Sequence, residues 1–406
     1  MKGSRRAVPE GARPASAAVF GGVIVGLATA LVSASGVLAF VAVRIGRRAI
    51  EPAARIADLR LLDVDTASQT VRITRNADTE LPGRYGLFTS GTQSYLKIGT
   101  VLSTDAAGVT RKLLTEVGPT DRLAAEAAFS GWYFRDPEEL HLPFTEVEVP
   151  TSLGDAPAWL FPPEDHSEVW AIHVHGRGTT RSECLRAIPT FRSAGLTSLI
   201  VSYRNDGEAP ATREGTYALG ATEWRDVDAA IELALSRGAR RIVLVGWSMG
   251  GAIALQTALN SAHGDVIAGL ILDSPVIDWR TVLGHHARAL GVPRPVTGLA
   301  LGALTRGWSS RLSGAEDPIP LDDLDLVTRA AELRHPTLIL HSSGDDFVPS
   351  GASQALAAAR ADLVDLEQFE VARHTKLWNY DEDRWTGAIR SWLERQGLTS
   401  GAVAGS

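Results

Sequence analysis

The segment that most constrains the fold is 243–251, VLVGWSMGG, in which an apolar β-branched run leads directly into a helix-forming run. The G-x-S-x-G spacing is typical of a strand that turns sharply into a helix, with the serine hydroxyl exposed above the edge of a sheet. Ser248 takes a strained backbone conformation in such a turn, so the positions two residues away must lack bulk, as Gly246 and Gly250 do. The backbone N–H of Met249 would then point to where a carbonyl oxygen gains negative charge during attack.

Composition limits the alternatives, since a pattern this short also arises by chance in a chain with 39 glycines. At 406 residues the chain can hold one large α/β domain with appended segments, and 45% hydrophobic and 21% charged residues are ordinary for a globular protein. The net charge of −7 gives no reason to expect a nucleic-acid partner. One cysteine, Cys184, excludes an intrachain disulfide and a Cys-rich metal site.

Residues 17–43 are apolar or small and carry no charge. A bilayer core needs about 20 such residues, so we expect an uncleaved transmembrane helix here. The alternative is a cleaved signal peptide, but the apolar run continues well beyond the candidate cleavage site at 32–34. Basic residues flank both ends, so they barely indicate the orientation. We expect the basic tail, 1–16, to stay in the cytoplasm of a bacterial cell, with the rest of the chain outside.

Residues 48–140 differ from the remainder and predict a small β-rich module. Thr70–Thr74 alternates as a half-buried strand does, and 96–102 is a second strand candidate. The stretch 113–128 favours a short helix, which would start after Thr120-Asp121. The module contains no catalytic pattern, and a packing role fits it better than a role at an active-site mouth.

From Phe144 onward, strand-like and helix-like segments alternate. The stretches 145–149 and 158–161 predict an antiparallel lead-in, and continuous apolar strands separated by helices follow. This pattern predicts a mostly parallel sheet covered by helices on both faces. Ligands of such sheets bind beyond the carboxyl ends of the strands, where the Ser248 turn would stand.

Polar residues follow three further predicted strands. His175-Gly176-Arg177-Gly178 comes directly after one strand and can aim a backbone N–H, that of Arg177, at the same oxyanion as Met249. Asp345 and Asp346 follow the strand that ends near Ser342. Either carboxylate is able to fix the tautomer of a histidine base, and Asp345 is better placed than Asp346.

His374 follows the last predicted strand, and an imidazole there can take the Ser248 proton and return it to a leaving group. Of the ten histidines, only His374 completes the chain order Ser, Asp, His at strand ends. His173 lies within a strand and is expected in the core. The pair His285-His286 falls in an insert, about 278–333, that predicts a small helical cap over an apolar pocket. The apolar residues of this cap are Trp279, Leu283, Leu290, Leu299, Leu301, Leu304 and Trp308.

These motifs (GWSMGG, HGRG, HSSGDDFVP and RHTKLWN) resemble, in this order, those of the α/β-hydrolase superfamily over about 144–393. The chain looks most similar to serine-aminopeptidase-like, membrane-associated hydrolases and to prolyl-oligopeptidase catalytic domains. The resemblance implies an α/β-hydrolase domain at 144–396 followed by a flexible tail, 397–406. It also implies a Ser248–His374–Asp345 triad, with no cofactor and no metal.

The function expected on this basis is hydrolysis of a carboxylic ester, thioester or amide by a membrane-anchored serine hydrolase acting on a small-molecule acyl or peptide substrate. The alternatives are an aminopeptidase-type peptidase, a cofactor-free haloperoxidase-like activity and a non-catalytic scaffold that uses the pocket for binding. Glu223, near the start of a helix, is a candidate for holding a substrate ammonium, although acidic residues there more often stabilise the helix dipole.

Overall fold

The computed structural model describes residues 40–52, 55–89 and 94–399, the side chain of Trp308 excepted. The predicted basic tail, nearly all of the predicted transmembrane helix and most of the predicted C-terminal tail therefore lie outside the described residues. The last residues of that predicted membrane helix, 40–43, begin helix α1, which occupies 40–50. No helix within the described residues has the length and apolarity needed to span a membrane.

A closed barrel of six antiparallel strands follows α1, in the order β1-β2-β5-β4-β3-β6. Its strands are β1 (Leu59–Asp65), β2 (Thr70–Thr74), β3 (Tyr85–Thr89), β4 (Ser94–Thr104), β5 (Gly108–Leu113) and β6 (Glu126–Ser130). The predicted alternation in β2 holds, with Val71 and Ile73 buried inside the barrel. Pairing between β6 and β1 closes the barrel, since these two strands would otherwise be the edges of this sheet.

The prediction of a short helix within 113–128 is wrong. These residues form turns that lead into β6. Gly118-Pro119 interrupts the segment, and the Asp121 carboxylate accepts the Gly118 N–H at 2.8 Å in a tight turn. Apolar residues of this stretch, such as Leu113 and Val117, pack into the barrel.

A mixed sheet of eight strands forms the remainder of the core, in the order β14-β13-β12-β11-β9-β10-β8-β7. Its strands are β7 (Thr145–Thr151), β8 (Gly154–Phe161), β9 (Val169–Val174), β10 (Thr197–Val201), β11 (Arg241–Trp247), β12 (Ile267–Asp273), β13 (Thr337–Ser342) and β14 (Val364–Phe369). As predicted, β7 and β8 are an antiparallel lead-in, and every other neighbouring pair beyond β8–β10 is parallel.

Helices cover both faces of this sheet because successive side chains of a strand point to opposite sides. The helices are α2 (Ile188–Ser193), α3 (Trp224–Ser236), α4 (Met249–Asn260), α5 (Trp279–Ala289), α6 (Arg294–Thr305), α7 (Gly307–Ser313), α8 (Gly351–Ala359), α9 (Leu377–Tyr380) and α10 (Glu382–Arg395). Ile172 packs with side chains of α3 and α4, whereas Ala171 packs with side chains of α2 and α10.

The predicted helical cap corresponds to α5, α6 and α7, which lie between β12 and β13. Helix α1 joins them. A Cβ on Gly46 of α1 would lie 3.3 Å from the carbonyl oxygen of Ala300 in α6, so the two helices pack closely. Ile50 at the end of α1 is fully buried in the core that includes α3 and α4. The first strand of the barrel begins at Leu59. Residues 48–50, which the sequence assigned to the β-rich module, belong to α1 instead.

Candidate active site

Ser248 occupies the sharp turn between β11 and α4, and its φ of 52° lies in the left-handed region. Glycines make this turn sterically possible. A Cβ on Gly246 would come within 2.4 Å of the Gly250 carbonyl oxygen, and one on Gly250 within 2.1 Å of the Val174 carbonyl oxygen. Only glycine avoids both clashes, which is why the G-x-S-x-G spacing specified this turn.

His374 lies on the loop after β14 and faces Ser248. Its Nε2 is 2.9 Å from Ser248 Oγ, and its Nδ1 is 2.7 Å from Asp345 Oδ2. With the Nδ1 proton donated to the carboxylate, Nε2 accepts the serine hydroxyl proton. The structure thus brings together three side chains predicted from strand ends far apart in the chain. Their catalytic roles stay predictions.

Asp345 is the carboxylate that reaches the histidine. Its Oδ1 accepts the backbone N–H groups of Phe347 and Val348 at 2.9 and 2.8 Å, which fixes the loop after β13. Burial alone would raise the pKa of the Asp345 carboxyl. The charge of His374 and the hydrogen bonds from His341 and His374 outweigh burial and hold that pKa far below its usual value.

Asp346, the alternative left open by the sequence, is directed elsewhere. Its exposed carboxylate pairs with Arg373, and its backbone carbonyl accepts from His285 Nε2 at 2.8 Å. Two adjacent aspartates in one loop therefore have different positions, and only Asp345 is adjacent to His374.

The turn at 175–178 abuts the serine, since a Cβ on Gly176 would lie 3.3 Å from Ser248 Cβ. The Gly176 N–H already donates to Glu183 Oε2 at 2.8 Å. The backbone N–H groups of Arg177 and Met249 have no acceptor among the described residues, so both remain available to an oxyanion. The role of these two donors remains a prediction.

The Arg177 side chain is half-buried and contacts the end of α1. Its Nη2 donates to the carbonyl oxygens of Arg48 and Glu51 at 2.8 and 2.7 Å, at the end of α1. Burial lowers the pKa of the Arg177 guanidinium. The turn beside the serine is thereby tied to the helix that begins the described chain.

Two residues that sequence reasoning missed support the histidine loop. Ser274, just after β12, accepts the Thr375 N–H at 3.1 Å and donates its own hydroxyl proton to Asp273 at 2.9 Å. Burial raises the pKa of the Asp273 carboxyl, which also accepts from Trp385 Nε1 at 2.9 Å. The available signal was a buried apolar strand ending in Asp-Ser at the same edge as the other site residues.

The barrel also contacts the histidine loop. Asp78 Oδ1 lies 3.7 Å from Arg373 Nε and 3.5 Å from Lys376 Nζ, on either side of His374. Further along, Asn379 Nδ2 donates to the Arg84 carbonyl at 2.8 Å. The β-rich module thus packs against the segment that holds the histidine.

Two of the other histidines, His173 and His341, lie at buried positions within strands of the sheet. His173 lies in the core, donating to or accepting from Ser198 Oγ at 3.1 Å, and burial lowers its pKa to about 3. His341 contacts Ser353 Oγ and the Val348 carbonyl at 2.8 and 3.0 Å.

Glu223 does not face the site. Its buried carboxylate accepts the backbone N–H groups of Ala218 and Gly220 at 2.6 and 2.9 Å. Burial raises the pKa of this carboxyl. Its acceptors are thus occupied by the loop before α3.

A cavity of about 340 Å³ opens beside Ser248. It lies beneath the cap, between α1, α5, α6 and the Asp345 loop, and its walls are mainly aliphatic. Of the cap residues expected around an apolar pocket, five line it: Trp279, Leu283, Leu290, Leu301 and Leu304. Leu299 is half exposed and does not line it. Another wall is formed by residues of α1 that the sequence did not connect with the pocket: Ile45, Gly46, Arg48 and Ala49.

One surface cluster has metal-ligand atoms close together. Asp228 and Glu232 on α3 and His263 beyond α4 offer ligand atoms within 4.8 Å of one another. Contacts within the cluster account for it, since His263 Nε2 lies 3.4 Å from Glu232 Oε1 and Ser261 donates to Asp228.

Comparison with known families gives two matches. A profile described as an alpha/beta hydrolase family matches residues 171–391, and a domain of unknown function matches residues 60–130, which form the barrel. No curated protein matches the chain.

Solved structures resemble the chain at low identity. An esterase of Pyrococcus furiosus has a TM-score of 0.50 at 16% identity, over 64% of this chain and 94% of that chain. Est1E of Butyrivibrio proteoclasticus, solved with ferulic acid, has a TM-score of 0.47 at 19% identity, over 62% and 98%. A puromycin-hydrolyzing peptidase of Mycobacterium tuberculosis has a TM-score of 0.46 at 19% identity, over 83% and 46%.

Those likenesses describe the fold alone, whereas the family profile covers more than half of the chain's 406 residues. It begins within β9 and ends within α10, so it includes the turn at Ser248, the Asp345 loop and the His374 loop. On this evidence the protein is a hydrolase that belongs to the alpha/beta hydrolase family.

Proposed function

We propose that the protein is a serine hydrolase that cleaves acyl esters through a covalent acyl-enzyme. The observation that carries this proposal is the chain of contacts from Ser248 Oγ to His374 Nε2 and from His374 Nδ1 to Asp345 Oδ2, at 2.9 and 2.7 Å. A serine hydroxyl, a base and a carboxylate in this arrangement are the groups that activate a nucleophile.

The mechanism has two steps. His374 Nε2 takes the proton of Ser248 as Oγ attacks the substrate carbonyl, and the Met249 and Arg177 amides bind the oxyanion. The tetrahedral intermediate collapses as His374 passes that proton to the leaving alcohol. A water molecule, deprotonated by His374, then attacks the acyl-enzyme and releases the acid and Ser248. Asp345 stabilises the imidazolium in both steps, and loss of one oxyanion donor should lower turnover roughly 10²–10³-fold.

The cavity supports an apolar acyl group rather than a peptide N-terminus. Its lining beside Ser248 consists largely of leucine, valine and alanine side chains. A peptidase that recognises a free amine needs a carboxylate near the site. The oxygens of Glu223, the candidate from the sequence, instead accept hydrogen bonds from backbone N–H groups. An ester or thioester with an aliphatic acyl chain is therefore the favoured substrate over an amide.

The proposal includes attachment to a bacterial cell membrane through residues 17–43, with the hydrolase domain outside the cytoplasm. The uncharged run of the sequence supports a single span. Helix α1 continues directly from it and forms a wall of the cavity, which would keep the substrate pocket close to the bilayer.

A fluorophosphonate probe tests the nucleophile. We expect the wild type to label and Ser248→Ala to lose labelling, with ester turnover lower by roughly 10⁶-fold. Ser236→Ala, at the exposed end of α3, is the matched control and should label normally. Failure of the wild type to label or to hydrolyse p-nitrophenyl acyl esters of any chain length would favour the binding scaffold instead.

A further inference from the structure

Helix α6 has an unusual outer face. A helix on a protein surface normally exposes polar side chains. Arg294 begins α6 and Arg306 follows its last residue. The exposed positions between these two arginines are Pro295, Gly298 and Leu299. Leu299 is 50% exposed, and a Cβ on Gly298 would meet nothing within 4 Å. This face is therefore apolar and open among the described residues.

The neighbouring helices of the cap also expose leucines. Leu290 at the end of α5 is 79% exposed and Leu312 of α7 is 61% exposed. We call the exposed side of α5, α6 and α7 the cap face. Leu290 also lines the cavity, so the opening of the acyl pocket lies at the cap face.

The segment that forms α5, α6 and α7 is basic, although the net charge of the protein is −7. Residues 279–314 contain five arginines and no aspartate or glutamate. Arg280 pairs with Asp322. The other four are exposed and form no ion pair with a carboxylate of the described residues: Arg288, Arg294, Arg306 and Arg311.

We propose that the cap face docks on an anionic lipid bilayer, with its leucines in the interfacial region and its arginines on lipid phosphates. Basic residues beside apolar ones are the combination that an anionic membrane surface attracts. The inference rests on the membrane attachment proposed above, and it adds that the acyl substrate reaches the pocket from the bilayer, past Leu290.

The packing of α1 gives the cap face its orientation. Gly46 of α1 contacts α6 at Ala300 and Leu304. A membrane span that ends at residue 43 would leave only three residues of helix, about 5 Å, before this contact. A chain held there has α6 beside the membrane surface.

Two other occupants of the cap face fit less well. A second copy would bring its own arginines against these, since a two-fold interface places identical patches together, and like charges repel. Residues 17–39 of the chain itself would cover the leucines but carry no charge that could pair with the arginines. Residues 1–16 contain four basic residues and one glutamate, so their net positive charge would repel the arginines.

Fluorescence of the full-length protein in nanodiscs, one chain per disc, tests the proposal. Cys184 is fully buried, so single cysteines introduced as Leu299→Cys and Leu312→Cys carry an environment-sensitive dye. Leu102→Cys on the barrel is the matched control, as it is 54% exposed. We expect a blue shift and quenching by spin-labelled lipid at 299 and 312, but not at 102, when about a third of the lipid is phosphatidylglycerol.

Charge variants separate anionic docking from simple apolar contact. The combination Arg294→Gln, Arg306→Gln and Arg311→Gln should lower the docked-to-undocked ratio by about fivefold for each arginine removed. The combination Arg225→Gln, Arg237→Gln and Arg240→Gln, exposed around α3, changes the net charge equally and should leave the quenching unchanged. Far-UV circular dichroism and the thermal unfolding midpoint of each variant verify folding independently of the proposed catalysis.

Three results would overturn the inference. A blue shift without quenching by spin-labelled lipid would show that the chain itself covers the cap face. Equal quenching in discs of phosphatidylcholine alone, or no response of the dye at 299 and 312, would show that the cap face does not dock on anionic lipid. A chain that is not recovered with the discs overturns both the anchor and the docking. Loss of serine labelling alone affects the proposed catalysis and not the cap face.

Discussion

Asp345 Oδ2 lies 2.7 Å from His374 Nδ1, and the two residues sit on loops that follow the adjacent parallel strands β13 and β14. Adjacent parallel strands deliver their carboxyl ends to one edge, so a carboxylate and an imidazole 29 positions apart meet there. The contact fixes which imidazole nitrogen faces Ser248.

Asp345→Asn should therefore lower ester turnover by roughly 10⁴-fold with the fold intact, because an amide no longer holds the productive tautomer of His374. Asp346→Asn, one position along, removes only an exposed ion pair with Arg373 and should change turnover less than about fivefold. Steady-state kinetics with a p-nitrophenyl ester measure both. Equal losses in the two variants would contradict the assignment of Asp345.

The Asp345 carboxyl should make the free energy of unfolding decrease as the pH falls. Its folded-state pKa is far below the unfolded value of about 3.9, so the ionised form stabilises the fold. That contribution is complete above about pH 4 and is lost as the pH falls toward the depressed folded value. We expect the difference in unfolding free energy between wild type and Asp345→Asn to shrink below about pH 4. Urea titrations at a series of pH values measure it, and a constant difference would refute the linkage.

Filling the cavity should shorten the preferred acyl chain. Leu301 lines the cavity from α6, so Leu301→Trp occupies space that an acyl tail would use. We expect kcat/KM to fall about fourfold for each methylene excluded, while acetyl esters are unaffected. Leu299→Trp on the same helix, outside the cavity, is the control in detergent solution. Parallel profiles for both variants across acyl lengths would show that the substrate binds elsewhere.

The barrel contact at Asp78 should influence turnover more than stability. Asp78→Asn removes the carboxylate that lies between Arg373 and Lys376, so the loop of His374 loses one restraint. The stability change should stay within about 1 kcal/mol, as for other partly exposed ion pairs, while kcat falls. Asp105→Asn, which removes the barrel's ion pair with Arg72, should leave kcat unchanged. Unchanged kcat in Asp78→Asn would indicate that the barrel serves only as packing.

The parts of the site predicted best from sequence were those under local steric control. The turn at Ser248 demands glycine on both sides. Asp345 follows β13, which is buried at every position, whereas His374 follows the edge strand β14, in which apolar and polar residues are mixed, and was identified by its place in the chain order Ser, Asp, His. The sheet and its helices were accessible for the same reason, because buried strands and amphipathic helices have different periods.

Features that depend on tertiary packing were not predicted. Strand β3 is buried at every position and β6 is rich in alanine, so neither shows the alternation of a half-buried strand. The stretch 113–128 contains a helix-start signal at Thr120-Asp121, but its apolar residues pack into the barrel and no helix forms there. Helix α1 resembled the end of a membrane span, and nothing local indicates that Gly46 packs on α6 or that Arg177 binds its last carbonyls.

Helix α1 has a practical consequence for anyone shortening this protein to obtain a freely soluble enzyme. Deleting residues 1–51 spares every strand of the sheet and all three residues of the proposed triad. It nevertheless takes away one side of the acyl chamber and both oxygens that restrain the Arg177 guanidinium. Truncation intended to remove the proposed membrane anchor should therefore stop before residue 40.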